Sequence, residues 1–430
     1  MSFEKFKLDE KIMAGVHAAG YKKPTPIQAE SIPSIMEGKD LMGLAQTGTG
    51  KTAAFVLPIL HRLMKRQRGP IRALIVAPTR ELSEQTHDAI MQLGRKTGLC
   101  SASIYGGVSI NTQINRLRSR VDIISACPGR LLDHIGRKTL DLSQVEVLVL
   151  DEADHMFDMG FLPDVRRIVK HLPAKRQTLL FSATMPGEIR SLADDLLTDP
   201  VHIQIGDTAP VMTVAHKFYP VETQQKTALL KDILEKTDTE SVLVFTRTKS
   251  RAKSLAEQLN RVGHKVTSLH GNLTQQKRKQ SLDGFRDGRY EVMIATDIAA
   301  RGIDVTRISH VINYDMPSTA DAYTHRIGRT GRAMKTGDAF TFITGDDGEL
   351  LRSLQKMLGD KLQYQNVEGL TMNPSICEAM GARSHQLTRP GNPSGRKPSS
   401  SRTPSARRPA QRSFKDAGRM SWSSHAPQMA

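Results

Sequence analysis

Ala45–Thr52 carries the residue types that bind a nucleoside triphosphate. The segment reads AQTGTGKT and matches the P-loop pattern of glycines followed by Lys and Thr, except that Ala45 stands where the pattern begins with glycine. In such a loop the backbone amides surround the phosphates, Lys51 reaches the β- and γ-phosphates, and Thr52 ligates Mg²⁺. The spacing predicts a phosphate site lined by Ala45, Gln46, Thr47, Gly48, Thr49, Gly50, Lys51 and Thr52.

An acidic segment supplies the groups that hydrolysis of a phosphate bond needs. The apolar run VEVLVL leads directly into Asp151, Glu152, Ala153 and Asp154, which predicts a buried strand with two acids at its carboxyl end. There Asp151 can hold Mg²⁺ through water, and Glu152 can orient and deprotonate the attacking water. Two carboxylates at a buried edge would repel each other without a cation, so a metal ion is expected beside them.

A segment rich in basic residues lies in the second half of the chain. His325–Arg332 reads HRIGRTGR and holds four basic side chains at short intervals. Such a cluster repels itself unless it faces anions, so this segment is predicted to lie against negatively charged groups.

The elements that must position these residues are short buried strands that alternate with helical stretches. The strands are continuous apolar runs, which are typical of parallel sheets covered on both faces. A doubly wound α/β fold is expected, in which ligands bind beyond the carboxyl ends of the strands. The predicted strands are Arg72–Ala77, Val121–Ser125, Val145–Leu150, Thr178–Phe181, Ser241–Phe245, Val292–Ala295 and His310–Asn313.

The domain organisation follows from where this periodicity stops. It is lost at IGDTAPVMTVA, which predicts a hinge between two domains. The predicted boundaries are residues 1–205 for the first domain, 206–215 for the hinge linker, 216–362 for the second domain and 363–430 for a disordered basic tail.

The net charge is concentrated in that tail. The 430 residues carry a formal charge of +17, and residues 381–430 contain ten Lys or Arg and one acid. This Ser- and Pro-rich stretch cannot bury enough apolar surface to offset its ordering entropy. It is either a solubilising tail or a tether that raises the local concentration of RNA, and its one-signed charge favours the tether.

Several protein classes are excluded by the composition. No apolar run approaches the ~20 residues of a membrane-spanning helix, and the charged start MSFEKFKLDEK does not fit a signal peptide. Cys100, Cys127 and Cys377 are scattered, which argues against a disulfide scaffold or a zinc site and favours a reducing compartment. A cytoplasmic protein is therefore expected.

These motifs together resemble the DEAD-box ATP-dependent RNA helicases, over residues 3–345. The phrases LDEADHMFDMGF and LLFSATMPGEIRSLA look most similar to the bacterial RhlE type. The resemblance implies two tandem RecA-like domains that bind ATP, Mg²⁺ and RNA. It also implies roles for single residues that local chemistry does not assign.

For the nucleotide, the resemblance identifies GYKKPTPIQ as the adenine-reading motif, with Gln28 on the adenine edge and Tyr21 and Phe3 beside it. Asp304 is similar to the residue that binds the ribose from the second domain. Arg329 and Arg332 resemble the arginine fingers, so the site would be complete only when the domains close. The residues implied to couple hydrolysis to strand separation are Asp154, Ser182, Thr184 and His325.

For the nucleic acid, Gly, Thr and Arg clusters at other strand ends match family positions that touch the RNA backbone. Few aromatic residues lie among them, so sequence-independent, salt-sensitive phosphate and sugar contacts are expected. The residues are Thr79, Arg80, Gly106, Gly107, Pro128, Gly129, Arg130, Arg247, Gly271, Gln275, Arg278 and Thr296. Cys127 departs from the family, which usually has Thr before PGR, and a thiol is a poor donor to phosphate.

The sequence therefore predicts an RNA-dependent ATPase that locally unwinds short RNA duplexes or remodels RNA–protein complexes by ATP-driven domain closure. The alternative is an ATP-gated RNA clamp, or an annealing and assembly factor, in which the tail dominates. The family suggests a monomer. Ribosomal precursors and an RNA-degradation complex are both open as partners.

Overall fold

The computed structural model describes residues 2–46, 48–65, 69–205, 214–237, 240–300, 308–330 and 337–365. These residues belong to one compact unit that contains two seven-stranded sheets. Every strand pairing found in the described ranges is parallel. Helices cover the faces of both sheets, because parallel strands need crossover connections.

The first sheet is formed by the first half of the chain, in the order β3-β4-β2-β5-β6-β1-β7. Its central strands are buried along their whole length. The strands are β1 Leu41–Leu44, β2 Ala73–Val76, β3 Ser101–Ile104, β4 Ile123–Ala126, β5 Val147–Leu150, β6 Gln177–Ser182 and β7 Val201–Gln204. The helices are α1 Glu10–Ala18, α2 Pro26–Met36, α3 Lys51–Met64, α4 Arg80–Leu93, α5 Ile110–Arg118, α6 Pro128–Gly136, α7 Ala153–Asp158, α8 Leu162–Val169 and α9 Gly187–Leu196.

The second sheet has the order β10-β11-β9-β12-β13-β8-β14, which repeats the first order position by position. Its strands are β8 Val214–Pro220, β9 Val242–Phe245, β10 Val266–Leu269, β11 Val292–Ala295, β12 His310–Asn313, β13 Gly337–Ile343 and β14 Leu362–Tyr364. Its helices are α10 Lys226–Lys236, α11 Lys249–Arg261, α12 Gln275–Arg286, α13 Asp297–Ala300, α14 Ala320–Ile327 and α15 Gly348–Leu358. The two halves therefore share one topology, although no short sequence repeat is visible.

This topology divides the carboxyl edge of each sheet into two regions. In the first sheet, β6 lies between β1, which leads into the P-loop, and β5, which leads into the acidic segment. The predicted RNA-binding residues of this half follow β2, β3 and β4 instead. The nucleotide and RNA residues thus occupy adjacent stretches of one edge.

All seven predicted strands are confirmed, with shifts of one or two residues at their ends. The domain boundaries stay a prediction; β8 begins at Val214, inside the predicted hinge, and β14 extends to Tyr364, two residues past the predicted end of the second domain. From residue 366 onward the predicted tail lies outside the described residues. Within the described ranges, no helix has both the length and the apolar character to cross a membrane.

Candidate functional site

The P-loop follows β1 and opens α3. Gly48 and Gly50 have φ values of 85° and 95°, the left-handed region that glycine enters without a steric penalty. Lys51 is buried, and its Nζ donates a hydrogen bond to the Ala45 carbonyl at 2.7 Å. A lysine at the first position of a helix is placed to meet an anionic phosphate.

The neighbouring P-loop residues fix the loop itself. Thr49 Oγ1 donates to the Gln46 carbonyl at 2.7 Å, and Thr52 is the second residue of α3. Ala45 donates its amide to the Ser182 carbonyl at 3.0 Å and is buried, so the loop accommodates a methyl group at the position where the pattern has glycine. Thr47 lies outside the described residues.

Gln28 connects the predicted adenine-reading motif to the P-loop. Its Oε1 accepts from the Thr25 amide at 3.0 Å, and its Nε2 donates to the Gly50 carbonyl at 3.1 Å. A Cβ at Gly50 would lie 2.5 Å from Gln28 Nε2, so this approach requires glycine. Each amide atom keeps a second hydrogen-bonding position, which is what reading an adenine edge needs. Phe3 is buried, with its ring 6.1 Å from the half-exposed ring of Tyr21.

Asp151 lies at the end of β5, and its backbone amide donates to the Val76 carbonyl at 3.0 Å. Its side chain is 2% exposed, and Oδ1 has no hydrogen-bond partner among the described residues. Burial raises the pKa of Asp151, an effect that Lys51 opposes and the carboxylate of Glu152 reinforces. A buried oxygen with no partner, beside a second carboxylate, fits a divalent cation.

Glu152 is equally buried and is held by His155. His155 Nδ1 lies 2.8 Å from Glu152 Oε2. Burial alone would raise the pKa of Glu152, but His155, with Lys51 and Arg329, lowers it below its ordinary value. Glu152 also adopts left-handed backbone angles, φ 53° and ψ 56°, a strained conformation typical of functional sites in non-glycine residues.

Asp154 joins this turn to the segment after β6. Its Oδ2 accepts from the amides of Ala183 and Thr184, at 3.1 and 2.9 Å, and from Thr184 Oγ1 at 3.2 Å. The Asp154 amide in turn donates to Ser182 Oγ at 3.2 Å. The predicted coupling residues of the first half therefore form one hydrogen-bonded unit.

His325 brings the second half of the chain to that unit. Its Nε2 lies 3.7 Å from Asp154 Oδ2, and its Nδ1 lies 3.9 Å from Asp158 Oδ2. Its ring meets the ring of His155 edge-on, with 4.9 Å between the centroids. Burial is the main cause that lowers the pKa of His325, and the carboxylates of Asp154 and Asp158 oppose it.

Arg329 lines the same cleft as His325. It is 4% exposed, and it shares the cleft with Gln46, Glu152 and His155. The predicted arginine finger Arg332 and the predicted ribose-binding Asp304 lie outside the described residues.

Arg326 of the basic cluster pairs with a carboxylate of the same half of the chain. Its Nε and Nη2 donate to both oxygens of Asp297, at 2.6 and 2.8 Å, and its guanidinium lies over the Phe245 ring. Arg326 therefore faces an anion, as the clustering of basic residues predicted, and this anion is a carboxylate of the protein, in the bidentate geometry that suits arginine.

Seven of the twelve predicted RNA-binding residues line a second cleft between the two sheets. Its volume is about 320 Å³. Residues from both halves contribute to it, including Thr79, Arg80, Gly106, Gly129, Arg130, Gly271 and Arg278. Thr79 caps α4 by accepting from the Leu82 amide at 3.3 Å, and Pro128 is the first residue of α6. Two helix N-termini thus open beside this cleft, as binding of backbone phosphates requires.

Two arginines of this cleft are held by the loop that follows β3. Gly107 has φ +85°, and a Cβ there would collide with the guanidinium of Arg80. Arg130 Nη1 donates to the Val108 carbonyl at 3.1 Å. Gln113 supports the loop by donating to the Tyr105 carbonyl at 2.8 Å. The arginines are therefore preorganised rather than extended into solvent.

The second half contributes residues at the same edge of its sheet. Arg247 follows β9 and donates its amide to Asp315 Oδ2 at 2.9 Å. Gln275 opens α12, and Thr296 follows β11 with its amide 3.3 Å from the Leu269 carbonyl. Arg278 Nε donates to Glu81 Oε1 at 2.7 Å, and both side chains are buried. This ion pair connects α12 directly to α4 of the first half.

Cys127 occupies the N-cap of α6, within the same cleft. Its thiol makes no capping hydrogen bond in the described part of the chain. Burial raises the pKa of Cys127 to about 12, so the group stays a neutral thiol.

Three partners in these sites did not emerge from the sequence. They are His155 for Glu152, Glu81 for Arg278, and Asp297 for Arg326. The sequence does contain a local indication of the Glu152–His155 pair, because a side chain three residues after a helix N-cap can reach back to the cap residue. The other two pairs are separated by 197 and 29 residues, and only the fold brings them together.

Comparison with known proteins gives two matching family profiles. The DEAD/DEAH box helicase profile matches residues 25–192, and the profile of the helicase conserved C-terminal domain matches residues 225–334. The DEAD-box ATP-dependent RNA helicase CshA of Bacillus subtilis (strain 168) is 42% identical over 383 residues, which cover 88% of this chain and 76% of the relative. The RhlE-type affinity stays a prediction.

Two solved structures are similar over most of their length. S. cerevisiae Dbp5 bound to RNA and ADP BeF3 has a TM-score of 0.76 at 33% identity, covering 85% of this chain and 95% of that one. Mss116p bound to ssRNA and AMP-PNP has a TM-score of 0.77 at 25% identity, covering 89% and 82%.

Proposed function

The chain belongs to the DEAD-box family of ATP-dependent RNA helicases, and from this premise we propose that it unwinds short RNA duplexes locally, or remodels RNA–protein complexes, by closing its two halves on single-stranded RNA. One observation carries the proposal. Asp154 is bonded to the segment after β6 and is contacted by His325 of the second half. The hydrolytic turn is therefore joined to the second half through a contact that exists only when both halves meet.

The nucleotide is bound by the P-loop and the adenine-reading motif. The amides around Gly48 and Gly50 face the phosphates, Lys51 balances the charge of the β- and γ-phosphates, and Gln28 selects adenine. Thr52 and Asp151 would hold Mg²⁺, which Asp151 Oδ1 fits as a buried oxygen with no partner in the described residues. When bound, the ion supplies charge neutralisation at the phosphates.

Hydrolysis is carried out by this chain's own side chains around the γ-phosphate. Glu152 takes a proton from the water whose oxygen attacks phosphorus, and the bond to the ADP oxygen breaks. Its lowered pKa keeps it a carboxylate, ready to accept. Arg329, and by family resemblance Arg332, stabilise charge on the transferred group, and an arginine finger contributes ~10³–10⁵ in rate. Asp304 is proposed to hold the ribose.

RNA binding is proposed along the cleft between α4, α6 and α12. The arginines and helix N-termini found there meet backbone phosphates, so binding is expected to be largely independent of sequence. ATP and RNA both favour the closed arrangement and thereby shift the domain equilibrium toward it. Hydrolysis then reopens the halves and releases the strand.

Strand displacement tests this proposal. A short fluorescent RNA duplex should separate with ATP and Mg²⁺, and a DNA duplex of the same sequence should not. Displacement without ATP, or equal displacement of the DNA duplex, would contradict the mechanism.

The second candidate is an ATP-gated clamp or annealing factor, which the ten basic residues in 381–430 favour. Truncation is best placed after Gln365, because β14 pairs with β8. Annealing that is lost while ATP hydrolysis persists would support this candidate. If both persist, the tail only aids solubility.

The setting of the activity is also a proposal. We place the protein in the cytoplasm, as a monomer, acting on ribosomal precursors or with an RNA-degradation complex. The basic tail supports this setting through its affinity for polyanions. Co-purification with ribosomal particles or with a ribonuclease, each with and without the tail, distinguishes the two partners.

A further inference from the structure

His155 lies next to the carboxylate that acts as base in the proposed reaction. We propose that His155 is a positioning residue: it fixes the carboxylate of Glu152 through a hydrogen bond and connects that carboxylate to the second half through His325. The inference rests on the proposed function, because it concerns the same hydrolytic site.

A hydrogen bond joins the ring of His155 to the carboxylate of Glu152. His155 Nδ1 and Glu152 Oε2 are 2.8 Å apart, and both side chains are 3% exposed. A carboxylate can only accept, so Nδ1 must carry the hydrogen. Hydrogen bonds to a charged group in a buried site are short and strong, and they hold both partners in one rotamer.

The backbone explains why Glu152 needs such support. It is the N-cap residue of α7 and has left-handed backbone angles. His155 is the third residue of the helix, and its side chain reaches back to the cap position, as in a capping box. The strained residue Glu152 and its hydrogen-bond partner His155 thus lie within four consecutive residues.

The opposite side of the imidazole faces the second half. The ring of His155 packs edge-on against His325, with an interplanar angle of 86°. His325 belongs to α14, the helix that ends two residues before Arg329. Arrival of α14 therefore restrains the imidazole, and the imidazole restrains the base.

Comparison with another buried histidine separates this role from ordinary core packing. His134 is fully buried, but its ring bonds to the neutral groups of Thr139 and Gln113. Of these two histidines, His155 is the one that joins a carboxylate to a residue of the other half. Lys51 and Arg329 also face Glu152, and Asp154 faces His155. Cationic groups therefore remain near Glu152 when a neutral side chain replaces His155.

Two substitutions at His155 test the hydrogen bond and the ring contact separately. His155→Phe keeps a ring against His325 and removes the donor, whereas His155→Asn keeps a donor close to the position of Nδ1 and removes the ring. We expect His155→Phe to lower RNA-stimulated kcat roughly tenfold or more. KM for ATP and the affinity for RNA with AMP-PNP should change less than twofold. His155→Asn should recover most of kcat. The matched control is His87→Asn, which alters a histidine bonded only to Ser101 in the described residues and should leave kcat unchanged.

A spectroscopic readout does not depend on turnover. In nucleotide-free protein labelled with ¹⁵N-histidine, we expect a protonated Nδ1 signal that disappears in His155→Asn and moves in Glu152→Gln. A His155 ring protonated only at Nε2 would overturn the proposal. So would a His155→Phe kcat within twofold of wild type, or a loss of kcat matched by equal losses in RNA affinity and thermal midpoint. Failure of the wild-type protein to hydrolyse ATP would instead contradict the proposed function while leaving the nitrogen signal interpretable.

Discussion

Asp154 joins the acidic turn to the segment after β6 and to the second half of the chain. One oxygen of Asp154 accepts three hydrogen bonds from the segment Ala183–Thr184 and lies within 4 Å of His325 Nε2. The adjacent Glu152 is held by His155. Glu152, Asp154 and His155 of one turn therefore connect the acidic segment, the segment after β6 and the second half of the chain.

This arrangement predicts that ATP and RNA stay bound when Glu152 is replaced by a side chain of the same shape that cannot accept a proton. Glu152→Gln should lower kcat by at least roughly 100-fold, because proton transfer in the transition state is lost. ATP and RNA should stay bound, since neither depends on the charge of Glu152. ATP turnover and RNA dissociation rates measure the two effects.

The matched control is Glu188→Gln, which neutralises an exposed carboxylate of α9 and should behave as wild type. Rapid RNA release by Glu152→Gln would contradict a gate that opens on hydrolysis.

Cys127 gives a second prediction at this scale. Threonine at the N-cap of α6 adds a capping oxygen that the thiol does not supply, so Cys127→Thr should raise the free energy of unfolding by about 1 kcal/mol. It should also tighten RNA binding slightly, because a hydroxyl hydrogen-bonds phosphate better than a thiol. Thermal unfolding and RNA titration measure these changes, with Cys100→Thr as the control. Unchanged RNA affinity and unchanged RNA-stimulated ATP hydrolysis would show that the family's usual threonine contributes no contact here.

At the scale of elements, α4 and α12 meet through one buried ion pair. Arg278 and Glu81 come from the two halves, and breaking such a pair leaves an uncompensated charge. In a double-mutant cycle of Glu81→Gln and Arg278→Gln, we expect the double variant to lose less RNA affinity than the sum of the singles, by about 1–3 kcal/mol.

The control for that cycle is the exposed pair Lys265–Glu291, which lies within the second half and should contribute little. RNA affinity is measured with AMP-PNP. Additive effects at Glu81 and Arg278 would mean that the two residues act independently in binding.

The elements also show what the sequence could predict. Continuous apolar runs identified β2, β4, β5, β6, β9, β11 and β12, because strands buried on both faces leave no polar positions. Seven of the described strands were not predicted. β3, β7, β10 and β14 lie at the sheet edges, where a strand is covered less completely and its sequence is mixed, and β1, β8 and β13 lie inside the sheets but contain glycine or polar residues that interrupt the apolar run. The P-loop and acidic motifs are local and could be identified directly. The Glu81–Arg278 pair depends on how the two halves meet, which no spacing along the chain encodes.

At the scale of the whole molecule, buried imidazoles predict a loss of stability toward acid. Burial is the largest cause that lowers the pKa of each of His61, His87, His134, His270 and His325. At these five groups the unfolded chain binds more protons than the folded one, so their contribution to the free energy of unfolding falls as pH drops below about 6.5, whereas Asp151, whose pKa is raised by burial, contributes in the opposite direction. Solvent screening reduces the effect at the less buried rings.

In an Asp151→Asn variant, which removes that opposing group, the thermal midpoint should fall by roughly 1–3 °C between pH 7.5 and 5.5, which corresponds to about 1–2 kcal/mol in a protein of this size. Differential scanning calorimetry at constant ionic strength measures it. A midpoint that stays constant or rises over this interval would contradict the assignment of neutral, buried histidines.

The central claim is that RNA and both halves of the chain together complete one hydrolytic site. The most direct measurement is steady-state ATP hydrolysis with no nucleic acid, with single-stranded RNA, and with DNA of the same sequence. We predict strong stimulation by RNA and little by DNA, with the stimulation falling as salt is raised. Equal hydrolysis under all three conditions would show that the RNA cleft and the nucleotide site are not coupled, and would contradict the account.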